Sequence, residues 1–231
     1  MDTQSYGQFC PVAMATEIFC TRWTALILRE LLCGATRFND IRRGVPRMSP
    51  TLLSKRLKEL EQSGIVICRP SKPPGTFDYR LSPAGEDLRP VVMSLGAWGH
   101  RWIDTKLSLQ NLDAALLMLD MRRCINALAL PSRRTTIQFH FPDAMPDQQS
   151  WWLVIENGEV NLCGHDPGFD VDLHVCSSLA VMTAVWMGYQ NLRHEIEAGR
   201  VELIGDPKLA GDMRTWLGFS KFAGNSKPAA A

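Results

Sequence analysis

Four side chains in the first hundred residues carry chemistry suited to a nucleic-acid surface. Thr51, Ser54, Lys55 and Lys58 recur at helical spacing, which gathers two hydroxyls and two ammonium groups on one side of a helix. A helix face of that kind can set side chains against base edges and phosphates in a major groove. Arg37, Asn39, Arg43 and Arg47 precede them, and Arg69, Lys72 and Arg80 follow. The whole chain has a net charge of only +1, yet residues 37–72 hold nine Lys or Arg against three Asp or Glu. Residues 1–105 sum to +4 and residues 106–231 to −3. Such a concentration is the electrostatic footprint of a phosphate-binding surface; a solvated basic face has the same composition.

Cys10 is a second candidate for chemistry. It precedes Pro11 at the start of an apolar helical run, where unpaired N–H groups and the helix dipole favour a thiolate. A redox or electrophile sensor and a capping structural cysteine both suit that position. The other cysteines, at 20, 33, 68, 124, 163 and 176, make no C-x-x-C pair and have no histidine cluster nearby. Reduced thiols are therefore expected, and no metal site. His140, His165 and His174 are scattered, and no G-x-S-x-G, Walker, Rossmann or H-E-x-x-H motif occurs, so neither an enzyme nor a cofactor is expected. No basic stretch precedes an apolar run at the start, and no segment approaches the roughly 18–20 apolar residues of a membrane span. The expectation is a cytoplasmic chain with no membrane partner.

The elements that must position these groups follow from periodicity and punctuation. Helices are predicted over 11–19 and about 22–33, then a short one over 36–43 stopped by Gly44 and Pro46. Ser49 is a good N-cap, Pro50 suits the first helical position, and Gly64 supplies the stop of a helix over 50–62. Leu53, Leu57 and Leu60 form its anchoring stripe. Ile65–Arg69 and Thr76–Leu81 read as strands around the turn-rich Pro70–Gly75. They make a hairpin whose Arg69, Lys72 and Arg80 would contact phosphates. Short helix, turn, amphipathic helix and hairpin, in that order, describe a winged helix-turn-helix.

The motifs Cys10-Pro11-Val12, Arg22-Trp23-Thr24, Ile27-Leu28-Arg29-Glu30-Leu31, Arg37-Phe38-Asn39, Ser49-Pro50 and Leu53-Ser54-Lys55-Arg56-Leu57 resemble the HxlR family of bacterial regulators. Tyr79-Arg80-Leu81-Ser82-Pro83-Ala84-Gly85 and Ala97-Trp98-Gly99 continue the match, which covers about residues 9–103. The resemblance implies a homodimeric regulator of MarR-like architecture, with the 49–62 helix in the major groove of double-stranded DNA. Some members of the family sense oxidants or electrophiles through a cysteine at the position of Cys10. After Ser82-Pro83, Leu88, Val91, Leu95, Trp98 and Trp102 recur at three and four residues. That seam suits packing between two copies, the alternative being packing on the domain's own helices. Pro90 should kink this helix or end its first turn. Two-fold symmetry predicts a pseudo-palindromic operator.

Beyond about residue 105 the pattern changes. A helix is predicted from Leu112 to about Leu130, then strands through Ile137, Phe139 and Phe141, over 151–156 and 160–163 around Asn157-Gly158, and through Phe169, Val171, Leu173 and Val175. Helices at about 178–188 and 191–198, a strand at 201–204 and a Pro207-started helix follow. This is an α+β arrangement, a sheet with helices on one face. Asn157-Gly158-Glu159-Val160, Asp166-Pro167-Gly168, Asp170-Val171-Asp172-Leu173 and Gly199–Asp206 resemble the sterol carrier protein type 2 fold over about 112–222. That resemblance implies an apolar tunnel for a small hydrophobic ligand, with Phe139, Phe141, Trp152, Met182, Trp186 and Trp216 as lining candidates. A solid core is the alternative. Asp170 and Asp172 are expected to point outward on a strand into solvent. The reading is a two-domain DNA-binding repressor: residues 1–107, residues 112–222, and a flexible tail over 223–231.

Overall fold

The computed structural model describes residues 5–224, so most of the tail expected over 223–231 lies outside the described residues. The chain divides into two compact units, one ending at Leu95 and one beginning at Gly96.

In the first unit, helices α1 (Pro11–Phe19), α2 (Thr24–Leu32), α3 (Phe38–Gly44) and α4 (Pro50–Gln62) lead into a hairpin of β1 (Val66–Ser71) and β2 (Thr76–Leu81). A single turn, α5 (Pro83–Glu86), then precedes α6 (Arg89–Trp102), whose first half belongs to this unit. Pro90 sits at the second position of α6, where its missing N–H breaks no helical bond. The predicted disruption therefore appears as the break between α5 and α6. Ser82 Oγ caps α5 by accepting the Gly85 N–H at 3.1 Å. The core gathers Ile27, Leu28, Ile41, Leu53, Leu57, Leu60, Val66 and Val92.

Among the described residues of that unit, one carboxylate is buried. Glu30 is fully enclosed and receives the Arg29 Nε–H at 2.9 Å, while Arg29 also donates to the Gly44 carbonyl at 2.8 Å. Burying a carboxylate is costly unless it is paired, and this pairing ties α2 to the end of α3. Gly44 is required there, because a Cβ would fall 1.9 Å from the Glu30 carboxylate.

The second unit holds α7 (Thr105–Ser108), α8 (Ala114–Cys124), β3 (Thr135–His140), β4 (Ser150–Glu156), β5 (Glu159–Cys163) and β6 (Leu173–Ser177). Then come α9 (Leu179–Trp186), α10 (Leu192–Glu197), β7 (Val201–Gly205), α11 (Pro207–Gly211) and α12 (Met213–Leu217). The sheet order is β5-β4-β3-β6-β7, with β3 and β6 parallel and the other neighbours antiparallel. Asn157 and Gly158 take positive φ of 53° and 78° in the β4–β5 turn, as a two-residue hairpin requires. Ile137, Phe139, Leu153, Ile155, Leu173 and Val175 project from one sheet face into a core shared with α8, α9, α11 and α12.

Several expectations for this half change. Helix α8 ends at Cys124 rather than near Leu130: the chain passes through one 3-10 turn at Ala127–Ala129, and the Asn126 N–H donates to the Trp216 carbonyl at 2.8 Å. Strand β6 starts at Leu173, not at Phe169. Before it, Gly168 takes a φ of +77° and donates its N–H to Asp166 Oδ1 at 2.8 Å, a turn that alternation cannot reveal. The Pro207-started helix divides at Asp212 into α11 and α12. Asp170 is exposed as expected, but Asp172 is not solvated: Oδ1 accepts from Arg133 at 2.7 Å and Oδ2 from the Thr136 N–H at 2.8 Å.

Candidate nucleic-acid interface

Helix α4 is built as its sequence dictates. Ser49 Oγ accepts the Leu52 N–H at 3.3 Å, and Pro50 occupies the first turn, where no N–H is needed. Leu53, Leu57 and Leu60 are buried, whereas Ser49, Pro50, Thr51, Ser54, Lys55 and Lys58 are exposed. Lys55 Nζ lies 3.9 Å from Glu59 Oε1, a loose surface pair of small energetic weight. Thr51, Ser54 and Lys58 make no side-chain hydrogen bond or ion pair with another described residue. Arg56, the remaining cation of the helix, is tied to Glu59 and largely covered.

Around α4, Asn39, Arg43 and Arg47 are exposed, with Arg43 paired to Asp40 at 2.9 Å. Arg42, exposed beside Arg43, adds a cation that the sequence reading did not single out. On the hairpin, Arg69, Lys72 and Arg80 are exposed, and the register puts Arg69 and Arg80 on one face of the ribbon.

Arg37, one of the DNA-contact candidates, is engaged within its own unit. Its Nε meets Asp78 Oδ1 at 3.0 Å, and its terminal nitrogens donate to Thr76 Oγ1 at 3.2 Å and the Lys72 carbonyl at 3.3 Å. A backbone bridge joins Arg37 to Asp78, and the Tyr79 N–H donates to the Thr36 carbonyl at 2.8 Å. Arg37 clamps the hairpin to the start of α3, so its fork is already filled. Only the pairing partner Asp78, 41 positions on, could have revealed this. At the base of the hairpin Cys68 lies against Tyr79. Burial, then the nearby Glu61 carboxylate, pushes the thiol up; burial and the Cys68 contact push the phenol up. Both stay neutral there.

Cys10 immediately precedes α1 and is partly exposed. The first-turn amides of Ala13 and then Val12 pull its thiol below the ordinary range, although the thiol forms no capping hydrogen bond. In the seam of α6, Leu88 packs on its own core, while Val91, Leu95, Trp98 and Trp102 are exposed, the two tryptophans at 57% and 60%. Packing on the domain's own helices thus accounts for Leu88 alone. Helix α1 buries none of its residues, and Phe9, Val12 and Met14 are exposed.

Five of the six ligand-lining candidates meet in one core, and the sixth stands apart. Phe139, Phe141, Met182, Trp186 and Trp216 belong to the single core of the second unit, where Trp216 Nε1–H donates to the Leu209 carbonyl at 2.8 Å. Trp152 stands opposite Gln138 on the other sheet face, because Leu153 and Ile155 take the inward positions of β4. Among the described residues no group of His, Cys, Asp and Glu could hold a metal ion. No described helix is long and apolar enough to cross a membrane.

Comparison with known proteins bears on the front part of the chain, the first unit and the rest of α6 included. Residues 18–107 match the model of the HxlR-like helix-turn-helix family. The uncharacterized HTH-type transcriptional regulator YvaP of Bacillus subtilis is 39% identical over 101 residues, covering 42% of this chain and 93% of the relative. YdeP of the same organism, described in the same words, is 31% identical over 107 residues, 46% of this chain and 81% of the relative. Among solved structures, the reduced form of the B. subtilis transcriptional regulator YodB is 33% identical, covering 42% of this chain and 98% of that one, with a TM-score of 0.37. The chain, with its capped amphipathic helix and clamped hairpin, belongs to the HxlR-like helix-turn-helix family of transcriptional regulators.

Proposed function

We propose that the protein is a homodimeric, sequence-specific DNA-binding repressor that acts by occupying a pseudo-palindromic operator and not by catalysis. The observation that carries this reading is α4, with three leucines buried and Thr51, Ser54, Lys55 and Lys58 facing outward. Its outer face sets hydroxyls against base edges and ammonium groups against phosphates, while Arg69, Lys72 and Arg80 hold the hairpin along the neighbouring backbone. The exposed stripe Val91, Leu95, Trp98 and Trp102 supports a second copy as the partner, since monomers seldom leave such a run of large apolar residues in water. A mobility-shift assay on the DNA upstream of the protein's own gene tests the reading across a salt series. A specific complex whose affinity falls steeply with salt is expected; no specific complex even at low salt overturns it.

A second reading concerns control. The depressed pKa and partial exposure of Cys10 support a thiol that reacts with oxidants or electrophiles and so releases DNA. Operator release by a quinone or peroxide that persists unchanged in Cys10→Ser rules it out. For the second unit, a hydrophobic effector rests on the resemblance to the sterol carrier fold, and its five buried candidates pack as one core.

A further inference from the structure

The hairpin has two faces, and only one carries charge. Pairing sets Ile67 opposite Arg80, Arg69 opposite Asp78 and Ser71 opposite Thr76, so these residues share one face. Val66 with Leu81, Cys68 with Tyr79 and Pro70 with Phe77 share the other. At the base of the hairpin this second face is part of the core: Val66 is buried, and Tyr79 and Leu81 pack against the cluster. Towards the tip the same face runs past the core and ends in Phe77, which is 47% exposed, with Pro70 across from it.

A single exposed Phe is ordinary on a protein surface, but two features set this one apart. It stands at the end of a hairpin whose opposite face and tip present Arg69, Arg80 and Lys72. The hairpin is also held in place, by the three Arg37 side-chain contacts and by the Tyr79 N–H on the Thr36 carbonyl. An isolated two-stranded ribbon is pliable; this one fixes Phe77 relative to α3. A phenyl ring has nothing to offer a phosphate. It fits between base pairs, and minor-groove proteins insert Phe or Pro wedges at a partly unstacked step while cations hold the flanking backbone. Pyrimidine–purine steps unstack at the lowest cost.

We infer that Phe77, backed by Pro70, is a minor-groove wedge that makes the protein select a pyrimidine–purine step beside each half-site read by α4. It determines specificity through DNA deformability, and it rests on the DNA-binding reading above. The test is selection of binding sites from a fully randomised duplex library. It is followed by titration of the selected duplex carrying 2-aminopurine at the flanking step. The wild type is expected to enrich a core motif with a flanking TA or CA/TG step and to raise 2-aminopurine fluorescence at saturation. Phe77→Ala keeps the core motif, loses the flanking preference, binds the TA-flanked duplex about tenfold more weakly and leaves the fluorescence flat. On a duplex flanked by a stiff A-tract it matches the wild type. Lys58→Ala binds more weakly yet still raises the fluorescence at saturation, which separates the wedge from general loss of affinity. The same flank or the same fluorescence rise with Phe77→Ala overturns the wedge. A wild-type core motif without a flanking step overturns the wedge alone, and no enriched motif at all overturns the DNA-binding reading along with it.

Discussion

In the unit that ends at Leu95, α4 sends Leu53, Leu57 and Leu60 inward and keeps Thr51, Ser54 and Lys58 outward without partners among the described residues. In the unit that begins at Gly96, the sheet sends Phe139, Leu153 and Val175 inward, and its other face pairs polar groups with each other. His174 Nδ1 lies 2.6 Å from Gln138 Oε1, and His140 Nδ1 lies 3.1 Å from Ser150 Oγ. Both surfaces mix polar and apolar residues, but on the sheet these polar pairs bond each other, whereas Thr51, Ser54 and Lys58 bond no other described residue. A polar surface that satisfies itself has little left to give a ligand, whereas an unsatisfied, cation-bearing face over a rigid apolar anchor is prepared for one.

That contrast can be broken in several ways, the largest effect first. Trp216→Ala should cost about 3–5 kcal/mol in the second unit, through the cavity and the lost bond to Leu209. In chemical denaturation that unit should unfold early, while binding-site preference stays unchanged. Gly44→Ala should destabilise the first unit by about 2–4 kcal/mol, because its methyl group collides with the buried Glu30 carboxylate. A denaturation midpoint that does not move would show that the α2–α3 tie is dispensable. Lys55→Ala with Lys58→Ala should weaken DNA binding about a hundredfold and flatten the dependence of log affinity on log salt by about two. An unchanged slope would mean that α4 does not lie on phosphates.

Trp98→Ala with Trp102→Ala should raise the dimer dissociation constant at least about tenfold in sedimentation; a monomeric wild type would remove the seam from the account. The smallest effect concerns Cys10. Its lowered pKa places more thiolate at neutral pH, so iodoacetamide should modify it faster than an ordinary thiol, with the inflection of its rate–pH profile below the value of an ordinary exposed cysteine. An inflection at or above that value would leave Cys10 a structural residue.

Much of the first unit could be read directly, since its signals are local. The Ser49 cap, the Pro50 start and the leucine stripe of α4 lie within thirteen residues, and the helix runs from Pro50 to Gln62 as predicted. The exposed seam of α6 was likewise visible in its spacing. The second unit was harder because its turns carry weak signals: Phe169 and Val171 alternate like strand residues, yet the Asp166–Gly168 turn holds them outside β6. Asp172 looked solvated until the fold brought Arg133 and the Thr136 N–H to it.

The amino-acid sequence alone determined the polarity of α4, the placement of the wing cations and the membership in the family. Helical periodicity and capping act over a few residues, so neighbours in sequence suffice. Tertiary structure alone decided that Arg37 clamps the hairpin to the start of α3, that Trp152 leaves the core that Phe139 enters, and that Phe77 stands exposed at the end of a charged ribbon. Each of these depends on which distant residue lies across a strand or fills a guanidinium fork, and pairing at that range is set by the packed whole.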